Sequence, residues 1–177
     1  ETNINSYYDI YTVYNTDPAT SGFLFDYPDA AGAYSVRQLN NNATSAMRVM
    51  RAVAPYDEAE IGFVSGQLDE QAIVDFAQLN GGNDVLRVSA WYDQSGQQNH
   101  TLQDIKTSQP EIYNGTAVTT DNGKAALKFD GDALPLALTL DAGDCSVFMV
   151  GKYSTTTGQR MMLSLGGSNP FWFHYCV

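Results

Sequence analysis

Apolar and polar positions alternate along much of the chain with the two-residue period of strands, and only once settle into the period of a helix. Tyr34 and Val36 alternate with the polar Ser35 and Arg37, and Met47-Arg48-Val49-Met50-Arg51 alternates again. The pattern predicts strands over 34–39 and 47–51, side by side and antiparallel across the loop Asn40-Asn41-Asn42-Ala43-Thr44. The helical stretch begins at Asp69, a good N-cap, with Leu68 and Ile73 placed as a hydrophobic staple and Glu70 suited to the positive helix end. Leu68, Ala72, Ile73, Phe76 and Leu79 share one face, which predicts core. Asn80-Gly81-Gly82 stops the helix, Gly81 being available for a left-handed cap. Val85 to Tyr92, rich in branched and aromatic residues, predicts the next strand.

After Gln109-Pro110 the pattern is all β. Ile112-Tyr113, Ala125 to Phe129, Leu134 to Leu140, Ser146 to Tyr153 and Met161 to Leu165 are short runs separated by Asn114-Gly115, Asp121-Asn122-Gly123, Asp130-Gly131-Asp132 and Gly143-Asp144. Turn signals every ~8–12 residues predict a sandwich. Residues 1–32 are aromatic without clean period and are broken by turn signals, so they read as an arm or linker packed onto a neighbour. The apolar ending, Phe171-Trp172-Phe173-His174-Tyr175-Cys176-Val177, is unlike a frayed terminus and gives the expectation of a longer polypeptide. The expected organisation is an arm over 1–32, an α+β module over 33–122 and the start of a β-sandwich over 123–177. The fold class is mainly β with a small α+β N-terminal module, the sandwich incomplete.

Composition narrows the partners. Nine basic against twenty acidic residues leave a net charge of −11 and a sequence pI near 4.2. Nucleic acid and anionic membrane both call for clustered Lys and Arg, so neither is an expected partner, and no apolar stretch is long enough for membrane insertion. Charged residues make up 16% of 177, low against a typical ~25%, and neutral polar side chains of the kind that meet sugar hydroxyls fill the difference. Cys145 and Cys176 are too few for a disulfide scaffold or a four-ligand zinc site and read as small hydrophobes. No cofactor is expected. Asp130 and Asp132 could offer oxygens to Ca²⁺, though an Asp-Gly-Asp run more often marks a turn. His100 and His174 stand without a nucleophile to form a triad.

The most distinctive run is Trp91-Tyr92-Asp93-Gln94-Ser95-Gly96-Gln97-Gln98-Asn99-His100. It reads as a strand ending in a side-chain-stabilised turn. The Asp carboxylate would accept N–H groups two or three residues on, Gly96 would supply a positive φ, and Trp91 would sit in the core. The functional alternative is a sugar-binding platform: Trp91 and Tyr92 for stacking, with Asp93, Gln94 and Asn99 as hydrogen-bonders.

A series of motifs in fixed order carries a resemblance: Ala33-Tyr34-Ser35-Val36-Arg37-Gln38-Leu39, Met47 to Arg51, Ile61-Gly62-Phe63, Trp91 to Gly96, Gln109-Pro110, and Gly123-Lys124-Ala125-Ala126-Leu127-Lys128-Phe129-Asp130-Gly131. Across roughly 33–170 it resembles a module of bacteriophage tail-fibre and other virion surface proteins. It is also similar to the catalytic domain of family 54 α-L-arabinofuranosidases, which carry a Tyr-Asp-Gln-Ser-Gly run. The resemblance implies a concanavalin A-like (laminin G-like) β-sandwich of jelly-roll type beginning near Gly123. It further implies a structural protein at the virion surface, extracellular, attaching to host-surface glycans and to other virion subunits, as a homo-oligomer. A purely structural capsid or tail decoration module is the alternative. A hydrolase is the remote one: Met161-Met162 falls where the arabinofuranosidases have paired cysteines, and Asn169 falls near their nucleophile. Retaining glycosidases need two carboxyl groups ~5–5.5 Å apart, and residues 152–177 contain no Asp or Glu. No catalytic residue is therefore assigned.

Overall fold

The computed structural model describes Leu24, residues 27–136, Leu138, residues 146–153 and the backbone of two strands near the end of the chain. Most of the aromatic arm, Cys145, Asn169 and Cys176 lie outside the described residues, as do the side chains of Met161, Met162 and His174. The chain divides into two units, 1–138 and 139–177.

The first unit is an antiparallel sheet with one helix. Its strands are β1 (Ser45–Arg51), β2 (Glu58–Val64), β3 (Gln67–Leu68), β4 (Leu86–Trp91), β5 (Thr101–Leu102) and β6 (Glu111–Tyr113), and its helix is α1 (Glu70–Gln78). The order across the sheet is β3-β2-β1-β4-β5. β5 pairs with β4 at Ala90 and Trp91 while β6 pairs with it at Leu86 and Arg87, so the two short strands share one edge of β4. β1 is central. Its ladders to β2 and β4 each shift register once, and Ala46, Met47, Val49, Met50 and Arg51 are all buried. The strict alternation expected of a strand with one wet face is therefore lost. Ile61, Leu86, Val88, Ile112 and Tyr113 complete the core with Leu68, Ile73 and Ala77.

The strand expected over 34–39 does not form beside β1. Arg37 makes a single bridge to Gln67 of β3, and the neighbours of β1 are β2 and β4. The reason lies in hydrogen bonding. The Gln94 amide accepts from Leu39 N–H and donates to the Ser35 and Arg37 carbonyls, so a side chain satisfies backbone groups that a ladder would otherwise have claimed.

The helix starts as expected, with Asp69 Oδ1 accepting from Ala72 N–H at 3.0 Å. Ile73 and Ala77 are buried. Leu79 is not part of that face: it is 53% exposed. The chain leaves α-helical geometry there and continues as a 3-10 turn over Leu79–Gly81, which changes the angular phase and swings Leu79 outward. Gly81 has the positive φ expected of it, +76°.

Gly62 shows why one position in β2 carries no side chain. A Cβ there would lie 2.6 Å from the backbone oxygen of Thr44, at the bulge where Ser45 meets Gly62. A backbone atom cannot swing aside. Gly62→Ala should therefore lower stability by about 1–3 kcal/mol, the usual cost of overpacking, and urea denaturation would read it as an earlier midpoint. An unchanged midpoint would show that this bulge yields freely.

Residues 123–133 belong with the first unit. β7 (Thr120–Asp121) and β8 (Lys124–Ala125) form a hairpin, Lys128 bridges Glu111 of β6, and Ala133 N–H donates to Ser108. In the second unit, β9 (Arg160–Leu165) pairs antiparallel with β10 (Phe171–Tyr175), so residues 171–175 of the apolar ending are a paired strand. Two expected strands, 134–140 and 146–153, are not found among the described residues. Residues 146–153 and 134–136 lie in no ladder, and 137, 139 and 140 are outside the described residues. Among the described residues the molecule is mainly β, with antiparallel sheets and one α-helix.

Candidate functional site

The distinctive run leaves β4 at Trp91 and turns at once. Its centre is Asp93, whose two carboxylate oxygens accept four hydrogen bonds. Oδ1 takes the N–H of Ala33 and of Ser95, both at 2.8 Å. Oδ2 takes the Ser95 hydroxyl at 2.7 Å and the Asn99 N–H at 3.0 Å. Gly96 supplies the positive φ, +93°, that the tight return requires. The Asp93 N–H donates to His100 Nδ1 at 3.1 Å, so that ring nitrogen is the unprotonated one. One carboxylate thus ties the segment before β1 to both arms of the turn after β4.

Burial by itself would push the Asp93 carboxyl up. The bonds from the Ser95 N–H and hydroxyl and from the Ala33 and Asn99 N–H groups outweigh it and hold the group below its ordinary value. Tyr34 sits beside it with its hydroxyl donated to the Asn99 carbonyl. Burial, and then the nearby Asp93 charge, push the Tyr34 phenol up to about 12.

Gln94 is 2% exposed, and its amide is wholly occupied by the 35–39 segment. Asn40 donates to the Gln94 carbonyl at 3.2 Å, and the Asn99 amide donates to Ala31 at 2.8 Å. Trp91 is partly buried against the core, tilted over Tyr34 with ring centroids 5.9 Å apart. Its indole N–H is buried with no acceptor among the described residues. Tyr92 is partly buried, donates to Glu60 at 2.7 Å and meets His100 edge to face. Burial first, then the bond to Glu60, raise the Tyr92 phenol to about 12.

The structure therefore brings Trp91, Tyr92, Asp93, Gln94 and Asn99 together, as consecutive or nearly consecutive residues must be. Asp93 and Gln94 turn inward onto backbone, and Asn99 does so with its amide nitrogen. Of the five, Tyr92 keeps an aromatic edge and a phenol that a ligand could share with Glu60. Sequence reading included His100 in the run without giving it a role, and did not place Tyr34 or Glu60 at this corner. Tyr34 and Glu60 are distant in sequence, and only the pairing of β2 with β1 and of β1 with β4 brings Glu60 alongside.

Asp130 and Asp132 form a turn. Asp132 accepts the Asp130 N–H at 2.9 Å and lies 3.8 Å from the Arg87 guanidinium, with Gly131 at positive φ between them. Among the described residues no group of three or more His, Cys, Asp or Glu is placed to hold a metal ion, and no helix is long and apolar enough to cross a membrane.

A second feature is a cleft of about 450 Å³ bounded by Val36 and Arg37, by β3 and the first residue of α1, and by the β7–β8 hairpin. Comparison with known proteins adds no name to either feature: no family model, no curated protein and no solved structure matches the chain.

Proposed function

We propose that the chain is a structural component of a virion surface protein, a tail fibre or capsid-attached fibre, that recognises carbohydrate during host attachment. The observation that supports this reading is what the motif series does. Its segments grip one another: Gln94 holds 35–39, Met47 pairs with both Ile61 and Trp91, Pro110 accepts from Val88, and Lys128 pairs with Glu111. Motifs spent on locking a module suit a structural role better than catalysis, which leaves side chains free for substrate. A concanavalin A-like sandwich of jelly-roll type remains part of the proposal, with the β9–β10 hairpin as a piece of it. The arabinofuranosidase alternative, with no carboxylate between Lys152 and Val177, is not carried forward.

A glycan array probed with the intact chain tests the reading, together with adsorption to host cells. The wild-type chain should bind a defined subset of glycans. Tyr92→Ala should weaken that binding about fivefold, the scale of one aromatic contact. A folded Tyr92→Ala protein that binds as the wild type would remove the corner from the contact surface, and a blank array would remove the carbohydrate role altogether.

One observation favours the second reading, a purely structural decoration module. In the second unit Val147, Phe148, Met149 and Val150 are exposed, Phe148 at 89% and Val150 fully. Consecutive exposed apolar side chains suit a contact with a neighbouring subunit. A blank array alongside a concentration-dependent oligomer that Phe148→Ser disrupts would favour this reading over the first.

A further inference from the structure

The basic residues are few, and nearly all whose side chains are described have a visible occupation. Arg48 pairs with Glu58, Arg51 with Asp84, Arg87 with Asp132 and Lys128 with Glu111. Lys106 lies over the Tyr56 ring, and Lys152 also has a partner. Arg37 and Lys124 are different. Among the described residues neither side chain makes an ion pair or a hydrogen bond, and both line the same cleft. They come from segments 87 positions apart (124 − 37), brought together because 36–37 lies along β3 while the β7–β8 hairpin closes the other side.

We infer that this cleft binds an acidic sugar, the carboxylate held between Arg37 and Lys124 and the ring laid on Val36, Leu68 and Ala125. The inference rests on the carbohydrate reading above and gives it a ligand class and a second position on the module. The volume, about 450 Å³, falls within the ~300–1,000 Å³ of small-ligand sites. A guanidinium forks onto a carboxylate with two parallel bonds, while an ammonium adds a point charge without fixed geometry. The Gln67 amide, also in the lining, suits a hydroxyl.

Charge decides among anionic ligands. With a net charge of −11 the molecule repels a polyanion at a distance, and Glu70 at the cleft wall places a like charge beside the two cations. Nucleic acid or a polyacidic peptide would bring several negative charges into that field. A sugar acid brings one carboxylate per ring, spaced by neutral hydroxyls, which is what two cations and one carboxylate can accommodate.

The test is calorimetric titration of the full chain with trigalacturonate, with its fully methyl-esterified form as the neutral control and triglutamate as the peptide control. The acid should bind, the ester at least about tenfold more weakly, and rising salt should weaken the acid alone. The Arg37→Gln/Lys124→Gln protein should lose about tenfold or more towards the acid. Both side chains are exposed, so its thermal melt should match the wild type. Glu70→Gln should move affinity the other way, tightening the acid by removing a like charge. Equal binding of acid and ester, binding that survives the double substitution, or triglutamate binding as tightly as the sugar would each overturn the inference. If the array shows neutral glycans bound and trigalacturonate does not bind, the cleft inference falls while the carbohydrate reading stands. If no sugar of either kind binds, both fall.

Discussion

Asp93→Ala should lower the stability of the first unit by about 2–4 kcal/mol, because a buried donor left without an acceptor costs roughly 1–3 kcal/mol, the four donors here are half-buried, and losses at one site overlap. Three backbone N–H groups, those of Ala33, Ser95 and Asn99, lose their acceptor together with the Ser95 hydroxyl. Set against the ~5–15 kcal/mol of an ordinary domain, that is a large fraction. Asp93→Asn should recover only part of the loss, since one of the two carboxylate oxygens becomes a donor facing donors. Urea denaturation followed by tryptophan fluorescence measures both. A loss under about 1 kcal/mol for the alanine variant would mean that water replaces the carboxylate at little cost.

The same carboxylate sets an acid limb. Its pKa is depressed in the folded state, so it contributes stability above the unfolded value near ~3.9, and that contribution is lost as pH falls from there through the folded pKa. The wild type should therefore lose stability across this window more steeply than Asp93→Asn, which has no proton to take up. Parallel curves for the two proteins would assign the acid limb to other carboxylates.

How much of this was legible beforehand depends on the range of the interaction. The cap at Asp69 bonds three residues ahead and the turn at Asp93 two ahead, so residue types at fixed spacing declared both, while the bond from Asn99, six ahead, lay beyond that spacing. Gly81 and Gly96 declared their positive φ for the same reason. What stayed hidden was long-range. Gln94 looked like a candidate for a sugar hydroxyl because nothing local shows that 35–39, more than fifty residues away, would come to lie across it. That same tie removed 34–39 from the sheet, where period-two alternation had placed it. The alternation over 47–51 did announce a strand, but not its central place, since a strand buried on both faces with two register shifts follows no simple period. The cleft was invisible too, because Arg37 and Lys124 share it only once the β7–β8 hairpin has folded back.

Arg51 is the residue whose importance no pattern announced, and its loss should be strongly damaging. Read along β1 it looks like an outward polar position, yet it is 3% exposed. The guanidinium crosses from the sheet to the end of α1, donating to the Phe76 and Ala77 carbonyls and pairing with Asp84 at 2.6 Å. Its central carbon lies 4.6 Å from the Phe76 ring centroid. The helix has no basic residue in its own last turn, so a strand supplies the positive charge that the negative helix end favours. Arg51→Met keeps most of the apolar volume but leaves two carbonyls without this donor and Asp84 without its cation. The expected loss is ~3–5 kcal/mol, the usual cost of removing one partner from a buried pair. Arg51→Met/Asp84→Leu should restore part of it, because the stranded carboxylate is then gone, while the Phe76 and Ala77 carbonyls keep only the N–H groups of Leu79 and Asp84. Urea midpoints for the two single variants and the double variant close the cycle. Strictly additive losses would show that the ion pair contributes nothing, and that Arg51 acts through the helix end and the Phe76 ring alone.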